Sequence, residues 1–292
     1  MRLILAIVFA AASGLGVARA ADVDASVAKR HVNLSALQPM LAEQIAKAAC
    51  FARLDINRMA NLGYLDGSYE LFDMTRRGLR EGNKALGLQT EPNQSVITAL
   101  NSLDRVSQNW NAQVSAAGGS VSLSDELFFA ITSATDKVVT AAAEVAERTE
   151  RAYAVGDRSF PLEVSLRIKL ASRQRTLSQR MAKDLCLIEA GFAAEAHRAS
   201  LQEGIALFEA SLSALRDGFP AFSLAAEKNP AQRAQLEFVA TLWDEVKPIY
   251  ARAAEGQAPT AAELRLISWQ NNQILSQMNA AVFNYETRNV SG

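Results

Sequence analysis

Apolar residues recur along this chain at three- and four-residue spacing, and clusters of glycine, asparagine and proline interrupt them. The pattern predicts four helices in each half. The first runs from about Val32 to Leu62 and breaks at Gly63-Tyr64-Leu65-Asp66-Gly67; the second spans Ser68 to Leu86. A third starts near Pro92 and stops before Gly118-Gly119, and a fourth covers Ser122 to Val155. After a junction at Gly156–Pro161, helices are expected over Leu162–Ala194 and Ala199–Leu215. Another begins at Asn229-Pro230 and closes at Gly256, with Pro248 expected to kink it or end it early. Thr260 and Glu263 form a capping box for the last helix, which continues to about Tyr285. The fold class is therefore all-α, and four amphipathic helices per half suffice for a bundle.

The halves repeat one plan. Asn33–Cys50 (NLSALQPMLAEQIAKAAC) aligns with Lys169–Cys186 (KLASRQRTLSQRMAKDLC) at an offset of 186 − 50 = 136. Gln38 falls on Gln174, Leu41 on Leu177, Lys47 on Lys183 and Cys50 on Cys186. The register holds through Leu79–Gly82 and Leu215–Gly218, then slips to 133 where Leu103, Val106 and Trp110 meet Leu236, Val239 and Trp243. Both tryptophans read as core residues. The expected organisation is a first repeat over 21–157 and a second over 158–292.

Residues 1–20 read as a secretory signal peptide: Arg2, an apolar run from Leu3 to about Ala12, then Ala18-Arg19-Ala20. The run is short for an uncleaved anchor. Cleavage leaves 272 residues (292 − 20) of net charge −3 (28 − 31), not membrane-spanning, in an oxidising compartment. A periplasmic location is expected, secretion being the alternative. The mild acidity gives no support to nucleic-acid binding.

Projected at about 100° per residue, the Lys169–Ile188 helix carries one apolar face of Leu170, Leu177, Met181, Leu185 and Ile188. A neighbouring stripe of small residues holds Ala171, Arg175, Ser178, Gln179, Ala182 and Cys186; its first-half counterpart is Ser35, Pro39, Ala42, Glu43, Ala46 and Cys50. Small residues permit close helix approach, so the two first helices are expected to pack along these stripes. Cys50 and Cys186 then either bond across the seam or stay free as small buried hydrophobes. The seam's polar part is the candidate site. Arg173, Arg175, Arg180 and Lys183, with Gln174, Ser178 and Gln179, crowd donors onto about three turns, and guanidinium forks suit small oxyanions. A solvated basic face is the competing reading.

ASRQRTLSQRMAK, Ala171 to Lys183, resembles the "GRQRMLSQRMAK" signature of the PilJ-type domain, the N-terminal sensor region of type IV pili methyl-accepting chemotaxis transducers. That domain is similar to the periplasmic sensor of the nitrate/nitrite kinase NarX. The resemblance extends to both halves and implies two tandem four-helix bundles of the NarX/PilJ sensor type. It also implies that two signature arginines, here Arg175 and Arg180 with Ser178 and Gln179 beside them, bind nitrate or nitrite where equivalent helices meet. In projection, however, Arg180, five residues on, lies about 140° from Arg175 around the helix. The first half has Pro39 and Gln44 at those positions, so half of a symmetrical clamp is missing.

The resulting expectation is a sensor-like protein that binds a small oxyanion and passes its state to a membrane receptor or a chemotaxis or kinase sensor. The alternative is a helical interaction module of the cell envelope with no ligand. No enzyme, cofactor or metal is expected. His31 and His197 lie outside any HExxH pattern, and no CxxC, G-x-S-x-G or phosphate loop occurs.

Overall fold

In the computed structural model, α1 (Ala25–Arg53) begins where the Asp24 carboxylate accepts the Ser26 amide at 2.7 Å. The structure describes residues 24–156 and 161–287. The segment expected as a signal peptide and most of the junction between halves lie outside them.

The first helix breaks earlier than its glycines predict. α1 stops at Leu54, where Asp55 and Asn57 take left-handed backbone angles (φ 59° and 47°), and α2 (Arg58–Glu81) runs through Gly63 and Gly67. A helical glycine costs only about 1 kcal/mol, while Asn and Asp tolerate the left-handed region that a reversal needs. Asn61 fixes the reversal by donating to the Ile56 carbonyl at 2.8 Å. Across the second half, α5 (Leu162–Glu189) turns into α6 (Ala194–Asp217) through Gly191 and a left-handed Ala193.

α2 ends at Gly82 (φ 82°) in a small two-stranded ladder, β1 (Gly82–Asn83) against β2 (Leu88–Thr90), that the sequence pattern did not foretell. α6 ends at Gly218 (φ 87°), where an added Cβ would lie 2.7 Å from the Ala226 nitrogen. Gly218→Ala therefore combines backbone strain with a clash that backbone atoms cannot relieve. A loss of about 2 kcal/mol is expected, read as a lower urea midpoint at unchanged slope.

α3 (Gln94–Ala117) is capped by Asn93, α4 (Asp125–Glu150) by Ser124 and α7 (Pro230–Ala254) by Asn229. α4 continues into a π-helical turn at Arg151–Gly156. Pro248 does not end α7, which continues to Ala254; Val246, Ile249, Tyr250 and Ala253 around it are buried and hold the helix in place. α8 (Ala261–Thr287) opens with the expected box: Glu263 accepts the Thr260 amide at 2.8 Å and donates its own amide to Thr260 Oγ1 at 3.2 Å.

The helices group into two bundle-like halves, α1–α4 and α5–α8, joined by α1 packing on α5. α1 is flanked by α2 and α4, α5 by α6 and α8. Both central helices are therefore buried on nearly every side, polar residues included. Contacts recur at a spacing of 136. Gln38 donates to Thr75 and Gln174 to Ser211; buried Glu91 faces His31 and buried Glu227 faces Arg167. Trp110 packs on Phe72 and Trp243 on Phe208, with ring centroids 5.4 and 4.4 Å apart, so both tryptophans are core residues.

Candidate functional site

The small-residue stripes form the interface between α1 and α5. Ala42, Ala46, Ala171 and Ala182 are fully buried, and Cys50 and Cys186 are joined by a disulfide. Arg175 contacts Asn33 and Lys183 contacts Glu43, so partner numbers rise together on both helices and the pair is parallel.

Arg175 lies at the end of the seam away from the disulfide. Its Nη2 donates to Asn33 Oδ1 at 3.0 Å and Ser172 Oγ at 2.9 Å, and its Nη1 to Asn279 Oδ1 of α8 at 3.3 Å. Nε is buried with no hydrogen-bond partner among the described residues. Burial lowers the guanidinium pKa to about 10, against the opposing pull of Glu286. It is still a cation at neutral pH, and no carboxylate of the described residues lies within ion-pair distance of it. The guanidinium lines a cleft of about 440 Å³ with Asn33, Gln44, Tyr64, Asn279 and apolar side chains such as Leu37 and Phe283. Gly63 and Gly67 form part of its wall, and a Cβ on either would meet nothing within 4 Å. Their lack of side chains keeps this side of α2 open.

The structure does not bring Arg180 to that cleft. It lines a separate one of about 340 Å³, where its Nε donates to Ser200 Oγ at 3.0 Å. Three carboxylates, Glu43, Asp136 and Asp184, share this second cleft with Lys183 and His197. Negative charge is already supplied here. Ser178 is fully engaged: its hydroxyl donates to the Arg175 carbonyl at 2.8 Å and accepts from Gln179 Nε2 at 3.2 Å. Gln179 is buried with Oε1 unpartnered. Of the four residues that the family resemblance implies, Arg175, Ser178, Gln179 and Arg180, only Arg175 lines the cleft on the α2–α8 side of the seam.

The lysines of the repeat diverge sharply. Lys183 Nζ lies 2.8 Å from Glu43, 3.0 Å from Asp136 and 3.9 Å from Asp184. Burial pulls its pKa down, but these carboxylates outweigh that and hold it above the usual lysine value. The residues 136 positions away from those three are Gln179, Asn272 and Ala48, all neutral. Lys47 is accordingly buried with amide partners only, Asn271 Oδ1 at 3.0 Å and Asn272 Oδ1 at 2.7 Å, beneath the Tyr64 ring. Burial alone lowers its pKa to about 7. Sequence reading missed Lys47, Asn33 and Asn279. The signal for Lys47 was the absence of acidic residues at the three positions offset by 136.

Among the described residues, no cluster of three or more His, Cys, Asp or Glu could hold a metal ion, and no helix is long and apolar enough to cross a membrane. Comparison with curated proteins and with solved structures returns no match. The family described as PilJ, type IV pili methyl-accepting chemotaxis transducer N-term, matches residues 163–268, which carry α5, α6, α7 and the start of α8.

Proposed function

We propose that this protein is a non-catalytic periplasmic sensor built from two tandem PilJ-like repeats, 21–157 and 158–292, and exported by the signal peptide at 1–20. It binds a small nitrate-like oxyanion at Arg175 and passes that state to a membrane receptor or a chemotaxis or kinase partner. The observation that carries this reading is the buried Arg175 guanidinium on a cleft, with Nε unpartnered and no carboxylate paired to it. An entering anion gains charge-assisted hydrogen bonds there without displacing an ion pair. Asn33 and Asn279 bring α1 and α8 to the same point, so a ligand that recruits them alters how the halves meet. The PilJ match over the helix carrying Arg175 supports the sensor class, and the disulfide supports an oxidising compartment. Arg180 has no part in this site.

A thermal-shift titration with nitrate, nitrite, sulfate and phosphate against chloride at equal ionic strength tests the reading. At a hundredfold excess over Kd, one ligand stabilises by about 2.7 kcal/mol, which is roughly 5–10 °C for a chain of this size. Nitrate or nitrite is expected to produce that shift in the wild type and none in Arg175→Ala. If no oxyanion exceeds the chloride control, the proposal fails. A second reading rests on the three oxygens already accepting from Arg175: the guanidinium is an internal strut of an envelope interaction module. It predicts that same absence of a shift, together with a large loss of stability in Arg175→Ala.

A further inference from the structure

At the other end of the α2–α8 side lies a cleft of about 680 Å³, between the starts of the two helices and apart from Arg175. Its wall carries Asp55, Arg58, Tyr64, Arg265, Trp269 and Asn272. That volume is within the range of small-molecule sites.

Three features set this cleft apart. Trp269 is 58% exposed, whereas Trp110 and Trp243 are 1% and 3% exposed; an indole left in water on a concave wall is a ready stacking surface. The charge is positive: Asp55 pairs with Arg58 at 3.2 Å, and Arg265 has no ion-pair partner among the described residues. Beneath the wall lies Lys47, which reaches the cleft through two of its lining residues, hydrogen-bonding Asn272 at 2.7 Å and sitting under the Tyr64 ring. None of these features is shared by the related end of the molecule. There, with the caps Ser124 and Thr260 again 136 residues apart, the residues at that spacing are Ser133 for Trp269, Phe129 for Arg265, Ser200 for Tyr64 and Asp136 for Asn272, and the lysine is neutralised from within.

We propose that this cleft is a second binding site, for a small monocarboxylate with an aromatic body. The ring stacks on Trp269 and Tyr64. The carboxylate faces Arg265, above the ammonium of Lys47, and supplies the counter-charge that this half lacks. A single negative charge suits the site, because Asp55 already answers Arg58 and repels a second one. Asn272 is engaged at both ends, accepting from Lys47 through Oδ1 and donating from Nδ2 to the Ser268 carbonyl at 3.0 Å, so it holds Lys47 against the cleft wall and leaves the carboxylate to Arg265.

The test is titration of the disulfide-intact protein with benzoate at fixed ionic strength, with acetate and nitrate in parallel. Trp269 is the one exposed tryptophan, so acrylamide quenching of tryptophan fluorescence reports its cover directly. Benzoate is expected to shield it saturably, and acetate to bind at least tenfold more weakly. Arg265→Ala and Lys47→Met should each weaken benzoate by about tenfold or more, Arg265→Lys by less, and Arg175→Ala not at all. Trp269→Phe should lose the fluorescence change while keeping a benzoate-dependent thermal shift. Absence of saturable shielding, equal affinity for acetate, or an unchanged affinity in Arg265→Ala overturns the proposal. Loss in Arg175→Ala alone would move the binding to the other cleft and also overturn it. Because nitrate is scored through Arg175 and benzoate through Arg265, either site can fail without the other.

Discussion

Reducing the bridge between Cys50 and Cys186 is expected to lower the free energy of unfolding by as much as about 5 kcal/mol. The bond spans 136 residues, and closing so long a loop removes a large share of the disorder open to the unfolded chain. Few native contacts are at risk from its removal, since the cysteines sit among alanines on a seam already tight enough to exclude solvent. Urea midpoints of the oxidised protein, the reduced protein and the Cys50→Ala/Cys186→Ala variant measure the effect. Oxidised and reduced midpoints that coincide would show that the seam holds without its covalent link. Both sulfurs are fully buried, so reduction in the folded state should also be slow and should accelerate in mild urea.

The second large effect concerns Lys47. Its pKa falls from 10.5 to about 7 on folding because it is buried without a counter-charge. The unfolded chain therefore binds this proton more tightly than the native one, and stability rises with pH between about 7 and 10.5. Below pH 7 the penalty is fully present, at most about 5 kcal/mol from 3.5 pKa units (10.5 − 7). Lys47→Met removes the charge and keeps the stem. It leaves Asn271 and Asn272 short of a donor, which costs back about 1–3 kcal/mol. The variant is expected to be more stable than wild type at pH 6, with its advantage about 3 kcal/mol smaller at pH 9. A difference that does not change with pH would mean that Lys47 stays charged throughout. Lys183 provides the contrast: Lys183→Met strands Glu43 as a buried carboxylate, while Asp184 keeps Ser200 and His197, and should destabilise at pH 7.

Periodicity made the helices and the seam legible, because small residues at three- and four-residue spacing on two aligned helices name a contact between them. Capping chemistry was equally readable at Asn229-Pro230 and at Thr260 with Glu263, where the interactions are local. Failures arose where a local rule competes with the tertiary environment. Gly63 and Gly67 look like the stronger breakers, yet the reversal goes to Asp55 and Asn57, and the glycines instead wall a cleft. Pro248 breaks a helix in isolation but not one whose neighbouring residues are anchored in a core. Site partners were the least accessible. A helical projection says which way Arg175 points, but not that Asn33, 142 residues away, and Asn279, 104 away, meet it there. The same projection separated Arg180 from Arg175, and the two do line different clefts.

The parallel pairing of α1 and α5 and the position of their disulfide together constrain how the two helices can move. Cys50 lies 17 residues beyond Asn33, about 25 Å along the helix axis. A covalent pin at one end of two side-by-side rods forbids either from pistoning past the other at that end. The motion left to them is that of tweezers: the pinned ends stay together while the free ends open or close. Asn33 lies in the third turn of α1 and Arg175 midway along α5, eleven residues before Cys186, so their grip acts away from the pin and a change in it becomes a change of angle rather than of height. A partner reading this protein would have to recognise the splay of its free end.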